Sequence, residues 1–446
     1  MSRKHIILKG AFILTLTGFA TRFMGFFYRI FLSHTFGEEG VGLYQLVFPV
    51  YALCFSLTCA GIETALSRCV ARKTATGQQK ASLDLLYTGL LLTLAASCCT
   101  TLFLQNFAGW IADAFLQEPR CSHLLVILSY AFPFAAVHSC IVGYYLGLKS
   151  TRIPASSQLI EQTVRILSVY LLYQLGARNG ASFGISVAVA GLAAGELASS
   201  AFCLKAILKE TPREKRTLPL SFPFFKYVRE LLTFSLPLTA NRVLLNILQS
   251  VEAISIPLRL QIYGMSTKEA LSAYGVLTGM ALPCVLFPSA ITNSLSTMLL
   301  PTVAEIQAAD NRRALSGIIK KSVYACVFMG SVCCVTLLCF GKWLGNFLFG
   351  SALAGDFILT LSWICPFLYA NNTLISILNG VGKTTLSFLI SASSLILRIG
   401  SVFLLIPVFG VQGYLWGLLA SQVFIFVFCG GYLYFWVGSK ITSSHL

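Results

Sequence analysis

The chain has 446 residues, 56% of them hydrophobic and only 11% charged, with a mean hydropathy of +0.79. A spanning helix takes about 20 apolar residues, so this composition excludes an ordinary soluble domain and leaves room for about twelve spans. A net charge of +16 would suggest nucleic acid in a soluble protein; topology explains it better here, and no nucleic-acid partner is expected.

Unbroken apolar runs such as Leu83 to Leu104 exclude the short alternating segments of a transmembrane barrel. In chain order, runs bounded by charge or by Gly and Pro turns lie at 6–32, 41–67, 83–104, 121–147, 155–176, 181–204, 227–255, 270–300, 317–340, 355–379, 384–406 and 412–437. Pro49, Pro237, Pro283 and Pro288 mark kink points in the longest of them. The first run holds Arg22 and Arg29 and lacks a small-x-small cleavage site, so it is expected to stay in the mature protein. With these spans, 22 lysines and arginines fall on one side and 5 on the other, which places both termini in the cytoplasm.

The basic stretch Lys205 to Pro223 reads as a cytosolic linker between two halves. The expected organisation is an N-terminal six-helix lobe over 1–208, a linker over 209–224 and a C-terminal six-helix lobe over 225–446. GIETALSRCVAR at 61–72 and ITNSLSTMLLPTVAE at 291–305 each end a span and run into a basic loop. The fold class expected is therefore an all-α polytopic membrane protein, two six-helix bundles in the same orientation around a central cavity. The 15 cysteines, mostly inside apolar runs, read as small buried hydrophobes, and the five scattered histidines offer no ligand cluster, so no metal site is expected.

Charge inside hydrocarbon costs at least about 2.5 kcal/mol per group and usually faces a bundle interior or a wet cavity. Arg22 and Arg29 share one face of the first span with Thr15, Gly18 and Gly25. Guanidinium forks on such a stripe suit a phosphate, although Arg29 also suits snorkelling to the outer interface. Glu161 and Arg165 are spaced for a helical ion pair. Asn241, Arg242, Gln249 and Glu252 cover a broad face of the seventh span, and Arg398 stands among Ser391, Ser394 and Ser401 as a cavity-wall candidate. Arg22, Arg29, Arg242, Arg398, Asn241 and Gln249 are thus the substrate-binding candidates. Glu63, Glu161, Arg165, Glu196 and Glu252 are candidates for sodium or proton coupling or for structural pairs. Close helix packing through Gly191, Gly195 and Ser199 competes with a coupling role for Glu196.

GVGKTT at 380–385 lacks the first glycine of a nucleotide loop, since Ile377 stands there, and no strand precedes it. It reads as a turn between spans, with no nucleotide partner expected. No catalytic constellation is present, so an enzyme is not expected and no cofactor is called for.

Several blocks carry a family likeness: GFATRFMGFFYRIFLSHTFGEEGVGLYQLVFPVY, GIETALSRCVAR, GYYLGLKSTRIPASSQLIEQTVRI, IPLRLQIYGMS, LPCVLFPSAITNSLSTMLLPTVAEI and LNGVGKTTLSFLISASSLILRIGSVFLLIPVFGVQGYLWG. In this order they resemble the family of stage V sporulation protein B and related polysaccharide-biosynthesis membrane proteins. The resemblance implies membership of the superfamily of lipid II flippases, oligosaccharide flippases and multidrug and toxin extruders, which work by alternating access between two six-helix lobes. It implies Arg22 and Arg29 as contacts for a lipid pyrophosphate, and a role in cell-wall or spore-cortex synthesis at a bacterial cytoplasmic membrane. The partners it implies are a lipid-linked saccharide substrate, membrane lipids and cell-wall synthesis enzymes. Two other readings stay open: a cation-coupled exporter of small amphiphiles, and a non-transporting scaffold for cell-wall enzymes.

Overall fold

The computed structural model describes residues 3–178, 184–210, 224–308 and 312–442. The core of the expected linker, 211–223, lies outside them. The described chain is helical because a peptide in hydrocarbon must satisfy its backbone within the segment. In order the helices are α1 (Arg3–Phe55), α2 (Gly61–Ala75), α3 (Gln79–Trp110), α4 (Cys121–Ser129), α5 (Ala131–Gly147), α6 (Arg152–Arg178), α7 (Ser186–Glu210), α8 (Phe224–Ile262) and α9 (Thr267–Gly275). They continue as α10 (Leu282–Leu286), α11 (Ser289–Ala308), α12 (Arg312–Phe349), α13 (Ala352–Ser362), α14 (Cys365–Gly380), α15 (Thr384–Leu404), α16 (Ile406–Phe409) and α17 (Val411–Thr442). π-helical turns at Ser56–Ala60, Ile111–Leu116 and Val276–Ala281 interrupt the ladder.

Among the described residues, eight helical stretches are long and apolar enough to cross a membrane, or ten if the bent pairs α4–α5 (43°) and α13–α14 (58°) each count as one span. The expected count of twelve is not reached on these criteria. The first two expected spans follow one another within the 64-residue stretch Phe12–Ala75, and at about 1.5 Å per residue that length suffices to cross a hydrocarbon core of about 30 Å twice. Gly37, at φ 68° and ψ 179°, breaks that run in a conformation that favours glycine. The expected fifth span, α6, falls outside the set because Glu161, Arg165 and their polar neighbours lower its apolarity.

Two compact units are present: residues 1–28 with Leu43–Ser250, and Arg29–Gly42 with Val251–Leu446. Residues 29–42 thus group with the second unit and 224–250 with the first, a division that runs through α1 and α8 and not at the linker. In the first unit Leu66, Leu85, Leu86, Ile141, Tyr145 and Leu231 form a buried core. In the second, Val303, Leu374, Ile377, Leu378, Cys429 and Leu433 do so. Lipid tails are as apolar as leucine, so these cores hold by close packing more than by leaving water.

The halves share a local design at a constant displacement of 233 residues, Arg165 to Arg398. RILSVYLL at 165–172 in α6 matches RIGSVFLL at 398–405 in α15. Ser168 Oγ donates to the Arg165 carbonyl at 3.0 Å, and Ser401 Oγ to that of Arg398 at 2.7 Å. The preceding turns correspond at the same displacement: Ser150 N–H donates to Tyr145 O and Lys383 N–H to Leu378 O, both at 2.9 Å. Lys149 and Gly382 both take positive φ, 60° and 82°. The nucleotide-loop lookalike GVGKTT is therefore a helix-connecting turn with a twin in the first half.

Between α3 and α4, outside the spans, Arg120 grips Glu118 with two prongs, Nε to Oε1 at 2.7 Å and the terminal nitrogen to Oε2 at 2.9 Å. These bonds hold the Glu118 carboxyl below the usual glutamate range, against the opposing effect of burial. All 15 cysteines are free, and most are buried.

Candidate functional site

The first unit gathers a buried polar cluster from four helices. His138 comes from α5, Ser157, Glu161 and Arg165 from successive turns of α6, Glu196 from α7 and Tyr51 from α1. The glycines of α7 make this approach feasible: a Cβ on Gly195 would lie 2.7 Å from the Glu161 carbonyl oxygen, and one on Gly191 3.1 Å from that of Arg165. Gly191 and Gly195 thus pack α7 on α6, while Glu196 turns toward His138.

Arg165 forms an ion pair with Glu161 one turn earlier. His138 Nδ1 lies 3.1 Å from Glu196 Oε2 and 4.0 Å from Glu161 Oε2, and its Nε2 lies 3.1 Å from Ser157 Oγ. Tyr51 donates to Glu196 Oε1 at 3.2 Å. The donor atoms of His138, Glu161 and Glu196 lie within 4.8 Å of one another. The histidines look scattered along the chain, and the fold corrects that for His138. The available signal is an ionisable ring inside the apolar run AFPFAAVHSC. One Glu161 oxygen is occupied by Arg165 and one Glu196 oxygen by Tyr51, and the other oxygen of each carboxylate faces His138 Nδ1.

Still in the first unit, α8 is fastened along α1 and α2. Arg242 donates to Ala60 O at 2.8 Å and to Thr64 Oγ1 at 3.1 Å, beside Glu63. Asn246, absent from the sequence-derived set, donates to Ala52 O at 3.2 Å and to Ser56 Oγ at 2.5 Å. These donors meet the backbone around the π-helical turn Ser56–Ala60, where regular helical pairing is interrupted. Asn241 and Gln249 are exposed, without a partner among the described residues.

In the second unit the buried Glu252 of α8 accepts from Arg398 of α15 at 2.5 Å and from Tyr414 of α17 at 2.9 Å. Arg29 donates to Thr278 O at 3.1 Å. Arg165 and Arg398 each keep a buried Nε with no partner among the described residues. Of the five intramembrane arginines, four therefore have protein partners. Arg22 is exposed on α1 and has neither an ion pair nor a hydrogen bond among the described residues.

The family described as polysaccharide biosynthesis protein matches residues 7–307. The chain belongs to that family. It is 28% identical over 431 residues to stage V sporulation protein B of Bacillus subtilis (strain 168), covering 95% of this chain and 82% of the relative. Its fold matches an inward-facing multidrug resistance MATE family transporter of the MOP superfamily at a TM-score of 0.72, with 14% identity over 98% of both chains. It also matches the lipid II flippase MurJ in an inward closed conformation at a TM-score of 0.72, with 14% identity over 94% of this chain and 86% of that one. The all-α, multi-pass membrane fold and the family expected from the sequence agree with these findings.

Proposed function

We propose that the protein is a flippase-type transporter that passes an undecaprenyl-pyrophosphate-linked saccharide or peptidoglycan precursor from the cytosolic to the outer leaflet by alternating access. It sits in a bacterial cytoplasmic membrane with both termini cytoplasmic and serves cell-wall or spore-cortex synthesis. The observation that carries this reading is Arg22, an exposed guanidinium inside an apolar helix with no protein partner among the described residues. A charge in that place is costly unless something anionic visits it, and the guanidinium fork matches phosphate oxygens. Family membership and the name of the sporulation relative support the cell-wall setting.

In this reading the pyrophosphate meets Arg22, with Arg29 further along α1, while the prenyl tail stays in the bilayer. Arg398 and Arg242 hold the scaffold through Glu252 and through Ala60 and Thr64. Glu161 and Glu252 likewise hold arginines and Glu63 lies near Arg242, which leaves Glu196 as the carboxylate best placed for ion coupling.

The test is reconstitution in liposomes with fluorescent undecaprenyl-pyrophosphoryl saccharides, comparing wild type with Arg22→Ala. A charge-assisted hydrogen bond contributes about 1.5–3 kcal/mol, so leaflet exchange should fall by about tenfold or more in the variant. If neither protein moves lipid-linked cargo while dye efflux follows a cation gradient, the protein is an exporter of amphiphiles instead.

A further inference from the structure

We propose that His138 and Glu196 together hold one exchangeable proton and form the site at which this transporter takes up its driving ion. The argument rests on three contacts of His138 and Ser157. In the proposed arrangement Ser157 gives its one hydrogen to Pro154 O, 2.9 Å away. Ser157 Oγ then accepts from His138, and the 3.1 Å contact carries hydrogen on Nε2. With Nε2–H fixed, a neutral imidazole presents a bare lone pair at Nδ1. That lone pair faces Glu196 Oε2 at 3.1 Å, and two acceptors do not attract. The contact is favourable when one proton lies between them, on Nδ1 as imidazolium or on the carboxyl.

Charge balance points the same way. Arg165 neutralises Glu161 on α6, and Arg242 on α8 faces Glu63 of α2. Glu196 on α7 has only the neutral hydroxyl of Tyr51, from α1, and the ring of His138. Around His138 stand the carboxylates Glu196 of α7, Glu161 of α6 and Glu63 of α2, together with the Arg165 guanidinium paired with Glu161. Without the proton the cluster carries one uncompensated negative charge in the apolar interior, and with it the cluster is neutral. Uptake adds one proton and one positive charge, breaks no covalent bond and needs no co-reactant. The second unit is built differently, since Glu252 is already matched by Arg398 and accepts from Tyr414. At Glu252 both oxygens are taken, one by Arg398 and one by Tyr414.

The identity of the ion rests on these contacts alone; its coupling to cargo rests on the transporter reading. The test accordingly uses no cargo. The full-length protein, labelled with 15N-histidine and placed in lipid bilayers, is titrated by solid-state NMR, and His138→Gln assigns its signal among the five histidines. The expected result is a ring whose Nε2 keeps its hydrogen throughout while Nδ1 titrates, with a midpoint displaced in Glu196→Gln, unmoved in Glu252→Gln and indifferent to added sodium. The proposal is overturned by an Nδ1–H, bare-Nε2 tautomer, by a midpoint indifferent to Glu196→Gln, or by sodium abolishing the titration. Size-exclusion profiles and helical content matching wild type keep misfolding of a variant from imitating these outcomes. Failure of the Arg22 experiment would leave this readout intact.

Discussion

Arg165 and Arg398 occupy the same position in a repeated sequence yet reach their carboxylates by different routes. Arg165 pairs with Glu161 on its own helix, whereas Arg398 pairs with Glu252 of α8, which Tyr414 of α17 also holds. At the position equivalent to Glu161 stands Ser394, so the second unit recruits its acid from another helix.

This difference predicts unequal consequences of removing the acids. Glu252→Ala leaves a buried guanidinium without a counter-charge and should destabilise the protein by about 3–5 kcal/mol. The double variant Glu252→Leu with Arg398→Met removes both charges and should recover a large part of that loss. Thermal unfolding in lipid nanodiscs measures both.

Gly195→Leu should loosen the first unit. Even a Cβ at this position would lie 2.7 Å from the Glu161 carbonyl oxygen, and backbone cannot yield as a side chain can. Overpacking of this kind costs about 1–3 kcal/mol, read as a lower unfolding temperature than for Gly184→Leu, whose site is open.

Arg22→Ala should separate function from stability. An exposed side chain with no partner among the described residues contributes little to folding, so unfolding should move by no more than about 0.5 kcal/mol. Transport of lipid-linked saccharide should nonetheless drop by about tenfold or more, the loss of a charge-assisted phosphate contact. A parallel drop in stability would place Arg22 in the scaffold instead.

Glu118 and Arg120 provide a pH dependence outside the spans. The Arg120 fork lowers the Glu118 carboxyl below its ordinary value, so the unfolded chain binds the proton more readily there. The stabilisation is complete above the ordinary glutamate value of about 4.3 and is lost as pH falls through the lower folded value. The difference in unfolding temperature between wild type and Glu118→Gln should therefore be constant at neutral pH and shrink in acid. Arg120→Ala should remove the contribution at neutral pH as well.

Much of the architecture is legible in the sequence because hydrocarbon imposes local rules. Apolar runs mark the helices and the family blocks mark the fold, since each depends on composition and order along the chain. The sharp kink at Gly37 between the first two spans is less visible than the spans themselves, because a glycine beside an apolar run signals a turn, a kink or close packing alike. Glu161 and Arg165 are readable as neighbours because one helical turn fixes their distance.

The remaining pairings were decided only by tertiary structure. Nothing in the spacing of 138, 157 and 196 says that a histidine on α5 meets a serine on α6 and a glutamate on α7. Nothing local says that Arg398 finds Glu252 while Arg22 finds no protein partner among the described residues. Periodicity places a side chain on a face of its own helix; which face of which other helix it meets depends on how the helices pack. By itself the sequence determined that this chain lies in a membrane as helices and which charges it buries there. Packing decided which of those charges are matched within the protein, because a buried charge is satisfied by whatever lies within hydrogen-bond reach, however distant in the chain.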